Sequence, residues 1–289
     1  MAKSADADAP KLSSIKVQVL KILGTGKQST VMLVMDKAVG GGRYALKKIK
    51  REEEADDLAI DRARAEVDAC TKLGHPAVLK SYDFHVTKSF FKVTGAEQLM
   101  EYVEGQTLDK LIGKIDVKPA LLVFQKVASA LAHMQRRQVT HGDLRPDQVF
   151  LSRTGQVKVR GYGRSQLDPK FKEKMKFQAA YTAPELAKSN VVTPKTEVYA
   201  IGATMYHVLT GQPALADPRS RGESNKLATP SMLNVKIPTV VNNLIVTCLQ
   251  PNPEKRPAEP YNVLQELDKI VGDYKLDESI LAGIAAADA

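Results

Sequence analysis

The 289-residue chain has no tryptophan and only two cysteines, and aromatic residues of every kind make up just 6% of it. Cys70 and Cys248 lie far apart in the chain, with neither a CxxC spacing nor a nearby histidine pair. This excludes a recognisable zinc motif and a disulfide framework, and both are expected to be reduced core residues. No stretch approaches the ~18 consecutive apolar residues of a membrane-spanning helix, and the start, MAKSADADAP, has no hydrophobic signal region. The expectation is a cytoplasmic protein that makes no membrane contact. The net charge of +9, from 42 basic and 33 acidic residues, favours acidic partners in general. With no aromatics interleaved among the basic residues and no nucleic-acid motif, nucleic acid is not an expected partner.

What is present is a chain long enough, and at 43% apolar rich enough, for a sizeable core. Residues 1–14 are Ala-, Asp- and Ser-rich and read as a flexible tail. From Ile15 the segment VQVLKILGTGKQSTVMLVMD predicts two strands joined by a glycine turn, and after Gly40, Gly41 and Gly42 comes a third strand, RYALKKIK. The next segment reads as a helix with Ala63, Glu66 and Cys70 on one face. That face turns a carboxylate inward, where it needs a cation. Two further amphipathic helices are predicted, from Leu121, Phe124, Ala128 and Leu131 and from Val198, Ile201, Met205 and Val208, each at 3-4-3 spacing. Near the end Leu276, Ile280 and Ile284 fall four apart. They predict a short helix, either docked on the domain or binding a partner.

The motifs sit within this frame. HGDLRPDQVF (141–150) and VKVRGYGRS (157–165) resemble the H-R-D-L-x-x-x-N and D-F-G loops of protein kinases. Gly24, Gly26, Ser29 and Val31 follow G-x-G-x-x-G-x-V with serine at the third glycine, and Tyr44, Ala45, Leu46 and Lys47 follow V-A-I-K. Ala183, Pro184 and Glu185 reproduce A-P-E. From about Ile15 to Gly272 the motifs keep the family's order, and the wording of the later part is most similar to bacterial Ser/Thr kinases. The resemblance implies an α+β, bilobal fold: a small β-rich N-lobe (15–103) with one main helix and a larger, mainly helical C-lobe (104–272), followed by a tail (273–289).

Residue by residue, the resemblance implies that Gly24, Gly26 and Val31 form the phosphate loop, and that Lys47 contacts phosphate and pairs with Glu66. Met100 becomes the gatekeeper, and the backbone of Glu101 to Val103 meets adenine. Ala45 and Phe150 sandwich the base, although the Phe150 ring either stacks on adenine or fills its pocket. Asp143 takes the catalytic-base position, and Glu185 pairs with Arg256.

The chain departs from the family where metal chemistry is concentrated. Gln148 replaces the Asn that holds Mg²⁺, and Gly161 replaces the D-F-G Asp that bridges the metal to the phosphates. Gly142 removes the arginine that would pair with a phosphorylated activation loop, and Arg145 replaces the catalytic-loop lysine. Gln178 stands at the usual threonine, Glu197 at the usual Asp beneath the catalytic loop. Mg²⁺ is held by few protein groups, so losing two leaves almost no first shell. The pattern resembles a pseudokinase: no metal is expected, ATP is expected at most without Mg²⁺, Asp143 is expected to be idle, and turnover is not expected. Its partners would be proteins, another kinase or a signalling protein among them. Two alternatives stay open: a weak or Mg²⁺-independent Ser/Thr kinase, and a switch gated by nucleotide binding without hydrolysis.

Overall fold

The computed structural model describes residues 9–37, 41–172, 178–214, 227–282 and 284. The stretch 218–226, whose short polar sequence predicts a trimmed helix at a place where kinases often dock partners, and part of 169–176, whose sequence predicts a basic patch, lie outside them. The chain divides into two compact units. The first runs through Lys72 and includes Leu79–Tyr102 and residues 166–172; the second comprises Leu73–Val78, Val103–Ser165 and the chain from 178 onward. Residues 73–78 thus cluster with the second unit and 166–172 with the first.

Five antiparallel strands build the first unit: β1 (Val17–Thr25), β2 (Ser29–Asp36), β3 (Arg43–Lys50), β4 (Ser81–Ser89) and β5 (Lys92–Glu101), in the order β1-β2-β3-β5-β4. At the edge, β1 is broken by two register shifts, which blunt an otherwise open strand. Side chains alternate between faces along each strand. One face buries Val34, Leu46 and Leu99, with Leu12, Ile15, Met32, Tyr44 and Tyr82 packed against them. The tail reading of 1–14 therefore needs correcting in its last residues. Leu12 covers this face and its N–H donates to Asp83 Oδ2 at 2.8 Å, because a single leucine in a polar stretch suffices to fill an open apolar patch. α1 (Asp57–Cys70) packs against β4 and β5, with Ala63, Glu66 and Cys70 all buried as their spacing predicts.

The second unit is mainly helical. It contains α2 (Val117–Arg136), α4 (Pro184–Ser189), α5 (Pro194–Thr210), α6 (Pro230–Leu233), α7 (Thr239–Cys248), α8 (Pro260–Asp273) and α9 (Ser279–Ala282), while α3 (Pro169–Lys172) belongs with the first unit. Its centre is α5. Thr193 caps that helix through a reciprocal bond with Thr196, Pro194 opens it, and Gly211 ends it at φ +77°, a backbone conformation that glycine adopts without strain. Val198, Ile201, Met205 and Val208 are fully buried. A small sheet, β6 (Gly105–Thr107), β7 (Val149–Ser152) and β8 (Val157–Val159), carries the loops of interest. The C-terminal reading is corrected in detail. α9 docks in cis against α2, but through buried Leu281 and a Lys126–Glu278 ion pair, while Ile280 is exposed. The helix is only one turn long, so four-residue spacing does not define a face.

Candidate nucleotide and catalytic site

In the first unit, two rows of cross-strand neighbours carry the expected nucleotide residues. Val31, Lys47 and Gln98 face one another across β2, β3 and β5, and Leu33, Ala45 and Met100 form the next row on the same face. Gly26 N–H donates to the Ser29 carbonyl at 2.7 Å and closes the turn. A Cβ at Gly24 would meet nothing within 4 Å, and one at Gly26 only ordinary contacts with Ser29. The turn itself demands neither glycine, so what they contribute is open backbone that a ligand could approach. Glu66 is buried on α1, where Gln98 Nε2 donates to its Oε2 at 3.0 Å and to Ser81 Oγ at 2.8 Å. Lys47 is thus the direct cross-strand neighbour of the residue that holds Glu66. Gln98 carries no motif signal, because only strand register reveals it. At the end of β5, the Glu101 N–H donates to the Lys80 carbonyl at 2.9 Å, and the Glu101 carboxylate accepts the Lys80 N–H at 3.0 Å.

In the second unit, residues 140–148 form an irregular loop closed by a 3-10 turn, Pro146–Gln148. Buried His141 accepts the Asp143 N–H on its Nδ1 at 3.3 Å. Gly142 lies at φ +75°, and a Cβ there would fall 2.4 Å from Arg164 Cδ. The buried Arg164 side chain fills the space that an arginine at 142 would enter, donating to Asn190 Oδ1 at 2.6 Å. Sequence reasoning missed this exchange, whose only trace is an arginine directly after G-Y-G. Asp143 is kept: Arg145 Nη2 lies 3.7 Å from its Oδ2, and Arg145 Nε lies 3.1 Å from Asp147 Oδ1. Beside it, Gln178, Tyr181, Thr182 and Leu186 line a shallow depression, where the Tyr181 hydroxyl lies 2.6 Å from His207 Nδ1. Burial pushes the Tyr181 phenol up to about 12 and the His207 imidazole down. The contact therefore joins a protonated phenol and a neutral imidazole, two uncharged groups.

The two residues at the expected metal positions, Gln148 and Gly161, meet each other. Gly161 stands at φ +76°, and a Cβ built there would lie 2.4 Å from Gln148 Oε1. The extra methylene of glutamine carries its carboxamide into the volume beside Gly161, and Nε2 donates to Asp147 Oδ2 at 2.8 Å. On the adjoining hairpin, Arg160 extends over the Phe150 ring, a placement no motif foretold.

With this geometry in place, the comparisons with known proteins are specific. The protein kinase domain family matches residues 17–267. The chain belongs to that family. It is 27% identical over 258 residues to the serine/threonine-protein kinase PrkC of Bacillus subtilis, covering 85% of this chain and 39% of that protein. To PknA of Mycobacterium tuberculosis it is 26% identical over 250 residues, covering 83% of this chain and 58% of PknA. The kinase domain thus spans about two fifths to three fifths of the length of these relatives. The crystal structure of the M. tuberculosis PknI kinase domain superposes with a TM-score of 0.66 at 22% identity, covering 89% of this chain and 96% of PknI's. The fold is the bilobal α+β fold of that family.

Two anchors of the kinase domain can be read directly. Arg256 grips Glu185 through both carboxylate oxygens, at 2.6 and 2.9 Å. Glu197 lies beneath the catalytic loop and accepts the Gly142 N–H at 2.8 Å. Complete burial pushes its carboxyl up to about 7, against the opposing pull of the Gly142 and His141 backbone N–H groups. Between the unfolded value near 4.5 and about 7, the folded protein holds a proton that the unfolded chain has released. Stability from this group is complete below that window and declines as pH rises through it, by roughly 3 kcal/mol in all at ~1.4 kcal/mol per unit. Denaturant titrations at pH 5 and pH 7 should show the wild type losing roughly this stability relative to Glu197→Gln, whose amide oxygen still accepts; the comparison is between the two proteins because histidines with lowered values, His75 among them, change stability in the opposite sense over the same range. Equal slopes for both proteins would refute the assignment.

Proposed function

We propose that this kinase domain is a pseudokinase, a regulatory or scaffold module in cytoplasmic signalling that does not transfer phosphate at a useful rate. The observation that carries this reading is the meeting of Gln148 with Gly161: the carboxamide of the first lies between Gly161 and Asp147, and the second has no side chain. The residues present do not fit Mg²⁺, which is held at such sites by one or two carboxylates with phosphates and water. Both nearby carboxylates, Asp143 and Asp147, are already engaged by Arg145. Metal-assisted charge neutralisation contributes several kcal/mol to such reactions, and each ~1.4 kcal/mol is tenfold in rate. A loss of several orders of magnitude follows. The excess of basic residues suits acidic protein partners.

The test is transfer of labelled phosphate from ATP to generic protein substrates and to the chain itself, with and without Mg²⁺. The wild type should give no signal above Asp143→Asn. Transfer that is clearly faster in the wild type would end this reading in favour of a weak kinase. The register that sets Lys47 opposite the partner of Glu66 favours a second reading compatible with the first. Nucleotide binding without hydrolysis would select one conformation, and a ligand does this only through differential affinity.

A further inference from the structure

The β7–β8 hairpin carries a row of side chains of which the proposed function uses only Gln148. Phe150 pairs with Lys158, and the Arg160 N–H donates to the Gln148 carbonyl at 2.9 Å. Gln148, Phe150, Lys158 and Arg160 therefore share one face, while Val149, Leu151, Val157 and Val159 are buried on the other. Of that row, position 148 belongs to the metal and position 150 to the base in the family pattern. Of the two cations in the row, Lys158 and Arg160, the second lies against the Phe150 ring. The Arg160 guanidinium carbon lies 5.2 Å from the Phe150 ring centroid, and Nη2 donates to the Asp147 carbonyl at 3.2 Å. Its Nε–H is buried and meets no acceptor among the described residues. A guanidinium carries five N–H donors, and here donor capacity is left over beside the vacated metal positions.

We propose that Arg160 takes the place of the metal ion, so that this face binds a nucleoside polyphosphate in its metal-free form, with the guanidinium on phosphate oxygens and the Phe150 ring against the base. The proposal rests on the reading that metal-assisted transfer has been lost. Its physical basis is complementarity of charge and shape. A planar fork of donors matches phosphate oxygens two at a time, whereas a fixed cation beside the site repels a divalent ion and no side chain at 148 or 161 offsets that. Free ATP carries two more negative charges than its Mg²⁺ complex, so added Mg²⁺ should compete with the protein for nucleotide.

The experiment is a calorimetric or fluorescence titration with ATP in EDTA and in excess Mg²⁺, on the wild type, Arg160→Gln and Arg160→Lys, beside a phosphotransfer assay on the same preparations. Binding should be tighter in EDTA than in Mg²⁺. It should weaken roughly tenfold or more in Arg160→Gln, as expected for loss of a charge-assisted bidentate contact, and partly recover in Arg160→Lys. Arg160 is half-buried with one hydrogen bond to the backbone, so the variants should melt with the wild type in the absence of ligand; a variant that does not is replaced in the comparison by the lysine form. Binding that requires Mg²⁺, that is unchanged in Arg160→Gln, or that appears only when Arg160 is shortened would overturn the proposal, the last because Arg160 would then be a plug. Mg²⁺-dependent transfer would instead sink the pseudokinase reading, so the two failures are distinguishable.

Discussion

Combining Gly161→Asp and Gln148→Asn with Arg160→Ala is expected to create a Mg²⁺ dependence of ATP binding that the proposed function does not expect of the natural protein. ATP affinity in the triple variant should rise roughly tenfold or more on adding Mg²⁺, as a carboxylate and a correctly placed amide supply the missing protein ligands. All three changes are needed for steric and electrostatic reasons. With Gln148 in place, a Cβ at 161 falls 2.4 Å from its Oε1. Because that atom is the far end of a flexible side chain, Gly161→Asp alone should be tolerated at a cost of about 1–3 kcal/mol without gaining metal. The left-handed backbone at 161 adds strain to any substitution, and aspartate tolerates that conformation better than most residues. Arg160, left in place, would compete with the ion. Differential scanning fluorimetry with ATP, with and without Mg²⁺, reads the result, because ligand bound only to the folded state raises its stability. If the triple variant remains indifferent to Mg²⁺, the metal positions have been assigned wrongly.

Arg256→Ala is expected to be the most damaging single substitution outside the apolar core, at about 3–5 kcal/mol. The Arg256 side chain is fully buried, and its five N–H groups meet five acceptors: both oxygens of Glu185 and the carbonyls of Gln250, Lys195 and Pro251. The guanidinium carbon also lies 4.9 Å from the Tyr199 ring centroid. Truncation strands a carboxylate and three carbonyls, and Arg256→Lys cannot repair this with three donors on a single nitrogen. Glu185→Gln should cost less, since an amide still accepts one of the bonds. Burial tends to raise the Glu185 carboxyl, but hydrogen bonds from Arg256 and its own backbone, with the guanidinium charge, outweigh that and hold it below the usual value. Its contribution is therefore present above about 4.5 and lost as pH falls through the folded value, the reverse of Glu197. Urea denaturation at pH 7 checks the ranking; an Arg256→Ala protein as stable as Glu185→Gln would contradict it.

The helices were legible because burial follows spacing. Glu66 could be placed inside by its 3-4 relation to Ala63 and Cys70, and every residue of the Val198 to Val208 stripe is buried. The same rule failed at the C-terminus, where one turn of helix leaves Ile280 exposed and buries Leu281. It failed too for Leu12, whose polar neighbours gave no hint of the sheet face it covers. In the site, motif letters located Lys47, Asp143, Gln148 and Gly161, but not the residues that answer their changes. Gln98 reaches Glu66 from a neighbouring strand, Arg164 fills the space above Gly142, and Gln148 turns into the space beside Gly161.

By itself, then, the sequence determined the family and the two-part α+β plan and put Gln148 and Gly161 where the family pattern expects metal ligands, because motifs and periodicity are local and survive in one dimension. Only the tertiary structure decided what surrounds those positions. Which side chain fills a space depends on strand register and on contacts between residues far apart in the chain. In close-packed interiors that space is filled: Arg164 lies against Gly142 and the Gln148 amide against Gly161, and on the hairpin face beside them Arg160 covers the Phe150 ring.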